Sequence, residues 1–225
     1  MMEYAGLIGF VAMVAAYSLL VDHSPLAART LSAKMTAHRM AWFQRAAARE
    51  VRIMDSQILA GLQNGVAFFG STSLLGVGAA FTLLTRLDDL ITLMADLPVA
   101  EPSRQVTEIM VVGLLAIYAY AVFKFGWAYR LLNYCAMLLG AVPDCTQPEA
   151  ARAAARKAAK MNAAAGKQFN RGLRALFLSL GYLGWIGGPV VQLGITALII
   201  AILTYRQFFS PALHALDDEI SPPAA

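Results

Sequence analysis

The sequence predicts an all-α polytopic membrane protein: a four-helix transmembrane bundle with long cytoplasmic helical extensions. Of its 225 residues, 59% are hydrophobic and only 14% are charged, whereas a soluble domain is usually about 25% charged. The uncharged residues are gathered in four long runs, and the basic residues in the segments between them. Because a helix needs roughly 20 apolar residues to cross a hydrocarbon core about 30 Å thick, the runs predict four spans.

The four spans belong to one membrane domain that covers residues 1–225. They are predicted at about 4–22, 57–85, 106–130 and 174–205. A secretion signal would begin with a basic segment, but the first run is preceded only by Met1, Met2 and Glu3. We therefore expect the first run to be a permanent span.

The basic residues predict the orientation. Between Asp22 and Asp55 there are six Lys and Arg residues, and between Pro143 and Arg174 there are seven. The loop after the second span and the tail are acidic by comparison. The positive-inside rule then places both basic segments in the cytoplasm and both termini outside. The alanine-rich composition favours a bacterial source, so we predict a multi-pass protein of the bacterial inner membrane.

The first basic segment predicts an amphipathic cytoplasmic helix over residues 25–55, which begins at Ser24 and Pro25. At 100° per residue most of its charged residues share one face and most apolar residues the other, with Arg39 as the one misfit on the apolar side. Such a helix lies in the headgroup layer of the membrane or packs on other cytoplasmic helices. The pattern leaves both alternatives open.

The second basic segment predicts an alanine-rich helix over residues 147–173. Its bases form one stripe: Arg152, Arg156, Lys160, Lys167, Arg171 and Arg174. The stripe is interpreted as a solvated, orienting face or as a docking face for an acidic partner or lipid headgroup. No nucleic-acid ligand is predicted, because no aromatic platform accompanies the bases.

Glycines in two spans predict close helix packing, since small residues let helix backbones approach each other in lipid. They are Gly61 and Gly65 in the second span and Gly184 and Gly188 in the fourth. Pro189 predicts a kink in the fourth span, whose uncharged run would measure about 46 Å if straight. Proline kinks are common in ordinary packed helices, but a broken helix also occurs at transport sites.

Two bases near the end of the third span raise the question of a charged site. Lys124 and Arg130 lie beside Trp127 and Tyr129, so both are explained by snorkelling at the inner interface. The following run, 131–142, projects past the bilayer, and we expect the apolar face of the 25–55 helix to cover it. Alternatively, some bases and amides form a cytoplasmic-side binding site: Lys124, Arg130, Asn133, Asn170, Arg171 and Arg174.

No pattern predicts an enzyme, and no catalytic residue, metal site or cofactor is predicted. His23 and His214 should lie on opposite sides of the membrane, and the spacing of Cys135 and Cys145 matches no metal motif. No Ser-His-Asp order or phosphate-binding glycine loop stands out.

Three segments are similar to a known family. They read "RMAWFQRAAAREVRIMDSQILAGLQNGVAFFGSTSLLGVG", "FKFGWAYRLLNYCAMLLGAVP" and "NAAAGKQFNRGLRALFLSLGYLGWIGGP". Over roughly residues 7–207 the chain resembles the integral-membrane family catalogued as domain of unknown function 599. The resemblance implies a four-helix membrane protein and no particular activity.

Two functions follow as hypotheses. The first is a non-enzymatic accessory or structural subunit that binds anionic membrane lipid and other integral membrane proteins, or associates with itself. The alternative is a transporter or channel for a small anionic solute, which requires the bases and amides of the candidate site to converge.

Overall fold

The computed structural model describes residues 2–95, 103–143 and 146–216, and every regular element within them is helical. The helices are α1 (Met2–His23), α2 (Leu31–Ala47), α3 (Ile53–Thr85), α4 (Leu87–Ala95), α5 (Arg104–Gly140), α6 (Pro148–Tyr182), α7 (Pro189–Phe208) and α8 (Pro211–His214). Two short 3₁₀ helices occupy Pro25–Arg29 and Leu183–Gly187. The all-α fold class predicted from the sequence is confirmed.

Four helices are long and apolar enough to cross a membrane by length and composition. These are Tyr4–His23, Ile53–Thr85, Arg104–Gly140 and Pro189–His214. The first two lie within four residues of the predicted bounds, the third continues ten residues past its predicted end, and the fourth begins fifteen residues later than predicted. The short helix α4, which directly follows α3, was not predicted.

The long helices α3, α5 and α6 run antiparallel, each to the next. Gly70 and Gly76 of α3 lie against Phe125 and Tyr118 of α5, so residue numbers rise in one helix as they fall in the other. The same holds for α5 and α6, where Cys135 Sγ donates to the Ala158 carbonyl at 3.4 Å. Much later in α6, Tyr182 contacts Gly113 of α5. Helix α6 therefore follows α5 along most of its length.

The predicted fourth span, 174–205, is wrong as a single kinked helix. Gly181 and Gly184 of α6 and its 3₁₀ extension lie against Thr196 and Gln192 of α7, so the two helices form an antiparallel hairpin. The chain reverses at Gly188, whose φ is 93° and ψ is 173°. Such backbone is open essentially to glycine alone. The apolar end of α6 and the 3₁₀ helix that follows it, together 175–187, thus become a fifth segment of the bundle.

The hairpin also explains the excess length of the uncharged run. Residues 175–187 extend about 20 Å and the 20 residues of α7 about 30 Å as helices. Folded back on themselves, both parts fit an apolar layer that one straight helix of about 46 Å would exceed. Pro189 is the first residue of α7, where its missing N–H breaks no intrahelical hydrogen bond.

Because of this reversal, α7 runs parallel to α1. Gly6 and Gly9 of α1 lie against Gln192 and Leu193 near the start of α7. At the other end, Val21 and Asp22 of α1 line the same cavity as Leu203 and Arg206 of α7, and Ser32 Oγ in the first turn of α2 donates to Gln207 Oε1 at 3.3 Å. Helix α7 therefore ends where α1 ends, and the prediction that both ends of the chain lie on one side is wrong for the described residues. Residues 217–225 lie outside them.

We call this shared end the basic end of the bundle, because α2 and the basic part of α6, 148–174, also lie there. One apolar core joins them. Phe43 of α2, Leu132 and Leu139 of α5, and Ala155 and Ala158 of α6 are all buried in it. The apolar face of α2 thus packs mainly on α6, in the same buried core as the end of α5.

The predicted helix over 25–55 is broken, because α2 ends at Ala47 and α3 begins at Ile53. Arg52 stabilises the turn: its Nε donates to the Ala46 carbonyl at 3.1 Å, and its Nη1 donates to the Val142 carbonyl at 3.0 Å. Its Nη2 reaches the next carbonyl of the same loop at 3.0 Å. One side chain therefore ties the turn between α2 and α3 to the end of α5.

A buried carboxylate supports the same turn. Asp55 is 0% exposed, and its Oδ1 accepts hydrogen bonds from Trp42 Nε1 at 2.7 Å and Arg49 Nη1 at 2.6 Å. Removing one partner from such a buried set is costly, because the remaining charge stays desolvated. Together with the bonds of Arg52, these hydrogen bonds hold the end of α2 against the start of α3 and the chain just after α5.

The first prediction concerns the side on which the chain ends. If the basic end faces the cytoplasm, a green fluorescent protein fused to the C-terminus should fluoresce, and alkaline phosphatase fused there should be inactive. The same reporters at the N-terminus should give the reverse pattern. Active phosphatase at the C-terminus, with the basic segments inside, would contradict the α6–α7 hairpin.

The second prediction concerns the reversal itself. Gly188→Ala should lower the free energy of unfolding by about 1–3 kcal/mol, because alanine is strained at this φ and ψ. Gly194→Ala is the matched control, since Gly194 lies within α7 with open space around its Cα. Thermal unfolding in mild detergent measures both. A Gly188→Ala protein that unfolds no earlier than the control would show that the reversal does not need glycine.

Candidate functional site

A cavity of about 440 Å³ lies at the basic end, between α1, α2, α6 and α7. Its walls come from the last turns of α1 and α7, the first half of α2 and the middle of α6. These four elements meet only because α7 returns to the end where α1 finishes. The hairpin therefore creates this site.

The charges that line the cavity are mostly positive. They are Arg39, Lys167, Arg171, Arg174 and Arg206, with Asp22 as the one carboxylate. Five cations and one anion give the lining a formal net charge of +4 at neutral pH. An excess of this size in one cavity repels cations and attracts anions.

Asp22 lies in the last turn of α1, directly after the uncharged run 4–21. Its Oδ2 accepts a hydrogen bond from Arg174 Nη2 at 2.8 Å and another from Arg171 Nε at 3.2 Å. The Arg174 guanidinium also stands 5.8 Å from the Tyr17 ring centre. Two guanidinium groups thus share one carboxylate, and together they keep a charge of +1.

Arg39 reaches the cavity from α2. Its Nη1 donates to the backbone carbonyl of Asn162 at 3.2 Å, and its guanidinium lies against Gly166, where no side chain obstructs it. Among the described residues no carboxylate lies within ion-pair distance of this group. Burial lowers the pKa of the Arg39 guanidinium, but arginine stays protonated in proteins. Within the part of the chain that the structure describes, Arg39 is therefore a partly buried cation without a counter-ion.

A polar network from three helices also lines the cavity. Asn170 Nδ2 donates to Ser32 Oγ at 2.9 Å, and Ser32 Oγ donates to Gln207 Oε1 at 3.3 Å. Nearby, the Arg206 guanidinium lies 6.0 Å from the Phe177 ring centre. These contacts hold side chains of α2, α6 and α7 together at the rim of the cavity.

This arrangement suits a multi-oxygen anion. Guanidinium groups present planar sets of N–H donors that match the oxygens of carboxylate and phosphate. Hydroxyl and amide groups beside them supply neutral hydrogen bonds to the same kind of ligand. The chemistry available is binding and orientation of an anion.

Three of the six predicted binding residues lie in this cavity, namely Asn170, Arg171 and Arg174. The other three lie on α5 and make separate contacts. Lys124 Nζ stands 5.0 Å from the Tyr120 ring centre, Arg130 Nε donates to Tyr134 Oη at 2.6 Å, and Asn133 Oδ1 accepts from Gln63 Nε2 at 2.7 Å. The structure therefore does not bring the six residues together.

Of the charged residues in the lining, the predicted binding site left out four: Asp22, Arg39, Lys167 and Arg206, although Lys167 belongs to the predicted basic stripe. A feature of the sequence set each of these residues apart. Arg39 was the one charge on the apolar face of its helix, and Asp22 and Arg206 each stand at the end of a long uncharged run. Without the chain reversal, however, Arg206 was expected on the opposite side of the membrane.

The four glycines predicted for packing behave differently from each other. A Cβ on Gly61 or Gly65 would meet nothing within 4 Å in this chain. Gly184 lies directly against the Gln192 backbone, where a Cβ would stand 2.9 Å from its Cα. Gly188 makes the reversal through its positive φ.

Within the described residues, no group of three or more His, Cys, Asp or Glu side chains could hold a metal ion. Cys135 is a buried free thiol, and Cys145 lies outside the described residues.

Comparison with known proteins gives a family and no relative of known function. No curated protein and no solved structure matches the chain. A family model described as "Protein of unknown function, DUF599" matches residues 5–212, which is nearly the whole chain. The all-helical protein with an arginine-rich cavity therefore belongs to this family.

Proposed function

We propose that this is an integral membrane protein of the bacterial inner membrane that binds a multi-oxygen anion, such as a phosphate group, in the arginine-rich cavity. The observation that carries the proposal is Arg39, a partly buried guanidinium whose only hydrogen bond within the described chain goes to a backbone carbonyl. It lines a cavity whose walls contain four other cationic side chains.

Electrostatics supports an anionic occupant. A buried charge without a partner costs several kcal/mol, and proteins normally offset that cost with an opposite charge or a ligand. Asp22 is engaged by Arg171 and Arg174, so it does not neutralise Arg39 as well. An anion between Arg39 and the other guanidinium groups would reduce their mutual repulsion and make several charge-assisted hydrogen bonds.

The positive-inside rule would place the cavity at the cytoplasmic face. Transport through the bundle has less support than binding at this face. Beyond the cavity the core contains Phe10 and Tyr182, whose rings pack edge to face with centroids 4.9 Å apart. A receptor or regulatory subunit that responds to the anion fits this closed core better.

An accessory subunit that binds other integral membrane proteins, or a second copy of itself, is the second candidate. The observation that favours it lies on α3, where Gly61 and Gly65 face open space next to the exposed Asn64. Small and polar residues on an uncovered helix face suit a neighbouring transmembrane helix. Anion binding and assembly are compatible, because the two surfaces use different helices.

A third prediction tests anion binding with inorganic phosphate as the probe. Phosphate should stabilise the wild-type protein against heat in mild detergent at constant ionic strength, whereas chloride should not. Arg39→Gln should weaken phosphate binding by about 10- to 100-fold, since hydrogen bonds to charged groups contribute about 1.5–3 kcal/mol.

Arg130→Gln is the matched control for that experiment. Its guanidinium is exposed on α5, donates to Tyr134 and lies outside the cavity. It should bind phosphate like the wild type. Equal losses in the two variants, or no effect of phosphate on the wild type, would argue against a specific site.

A fourth prediction uses the space beside Arg39. In Gly166→Ala the new methyl group would collide with the Arg39 guanidinium, so that side chain must move. Phosphate binding should fall several-fold while the unfolding temperature stays the same or rises, because alanine favours helix over glycine by about 1 kcal/mol. Gly126→Ala, which meets open space on α5, should leave binding unchanged. Unchanged binding in Gly166→Ala would show that the position of Arg39 is unimportant.

A further inference from the structure

We infer that the ligand of the arginine-rich cavity is an anionic amphiphile, a phosphate ester that carries a hydrocarbon chain, as an acidic membrane lipid does. This inference rests on the anion binding proposed above and adds the nature of the rest of the ligand. Three features support it: the depth of the cavity, the separation of apolar from cationic residues along its walls, and its volume.

The cavity lies at the edge of the apolar layer. Asp22, Arg174 and Arg206 are the charges that end two uncharged runs: Asp22 follows 4–21, and Arg174 and Arg206 flank 175–205. All three line the cavity. Charged residues that end apolar runs mark the boundary between hydrocarbon and headgroups. Three such markers from three helices therefore place this cavity at the depth of lipid phosphates.

The walls change character at that boundary. On α1, Tyr17 and Val21 line the cavity on the apolar side of Asp22. Phe177 lies one turn beyond Arg174 on α6, and Leu203 one turn before Arg206 on α7, so both are on the same side.

The polar lining lies on the other side of the boundary. Lys167 and Asn170 precede Arg174 on α6, and Arg39 reaches in from α2 at the basic end. The order of residues along each helix thus gives one cavity with an apolar wall toward the membrane interior and cationic groups below it. Bound in this way, an amphiphile would place its phosphate among the guanidinium groups and its chain along the aromatic and aliphatic wall.

The volume agrees with a ligand larger than a bare ion. About 440 Å³ is within the range of pockets that enclose organic ligands of moderate size. A free phosphate would contact the cationic groups and leave the apolar wall against water. A hydrocarbon chain would cover that wall, and each buried methylene should strengthen binding by about fourfold.

The test compares soluble alkyl phosphates with inorganic phosphate. Affinities of phosphate, butyl phosphate and hexyl phosphate are measured by calorimetry on the full-length protein in mild detergent. Hexyl phosphate should bind at least tenfold more tightly than phosphate, with butyl phosphate between them. Arg39→Gln should weaken all three, because each uses the same anionic group.

Two variants distinguish binding of the hexyl chain to the apolar wall of the cavity from partition of the chain into detergent. Phe177→Ala removes part of the apolar wall and should reduce the gain from the hexyl chain while phosphate binding stays within about twofold. Leu180→Ala is the control, since Leu180 is exposed on the outer surface of the same helix and does not line the cavity. It should keep the full gain.

The outcomes are distinct. Equal affinities for phosphate and hexyl phosphate would overturn the inference of an amphiphilic ligand and leave a binding site for a free anion. If hexyl phosphate gains the same affinity over phosphate in Phe177→Ala as in Leu180→Ala, the gain comes from partition into detergent. That result would also overturn the inference of an amphiphilic ligand. Failure of all three ligands to bind would overturn anion binding itself.

Discussion

The thickness of the apolar layer relative to the uncharged run 175–205 is the constraint on which the rest of this structure depends. One helix of that length would exceed the layer by about 16 Å, so the chain folds back at Gly188. The reversal makes α7 parallel to α1 and brings Arg206 to the same end as Asp22 and Arg174. A backbone requirement at one glycine thus gathers charges that lie far apart in the chain.

The second requirement is the fixed position of α2. Arg52 bonds three carbonyls, and Asp55 accepts from Trp42 and Arg49, so the turn after α2 is anchored to α5. With its end held and its apolar face packed mainly on α6, α2 directs Arg39 toward the alanine-rich part of α6. There Gly166 leaves room for the guanidinium. Contacts of α2 outside the cavity therefore determine that the Arg39 guanidinium reaches it.

The electrostatic balance of the cavity links fold to function. Asp22 is a carboxylate supplied by the protein itself, and it holds Arg171 and Arg174 in place. It compensates only part of the positive charge, so the folded chain keeps an excess that a ligand can neutralise. Because Asp22 ends α1, an anion that competes for the same arginines would also act on the end of that helix. Under the proposed function, anion binding would therefore be coupled to the position of α1 through the Asp22 side chain.

The sequence by itself determined the helical class, the first three spans and the separation of basic from apolar segments, because composition and charge act along the chain and are visible in it. It also marked Asn170, Arg171 and Arg174. Tertiary structure alone decided that the fourth run is a hairpin, that Lys124, Arg130 and Asn133 lie apart from the cavity, and that Arg39 and Arg206 belong to it. The physical reason is that a positive φ at Gly188 and the packing of α2 are settled by contacts between distant residues, which no local pattern specifies.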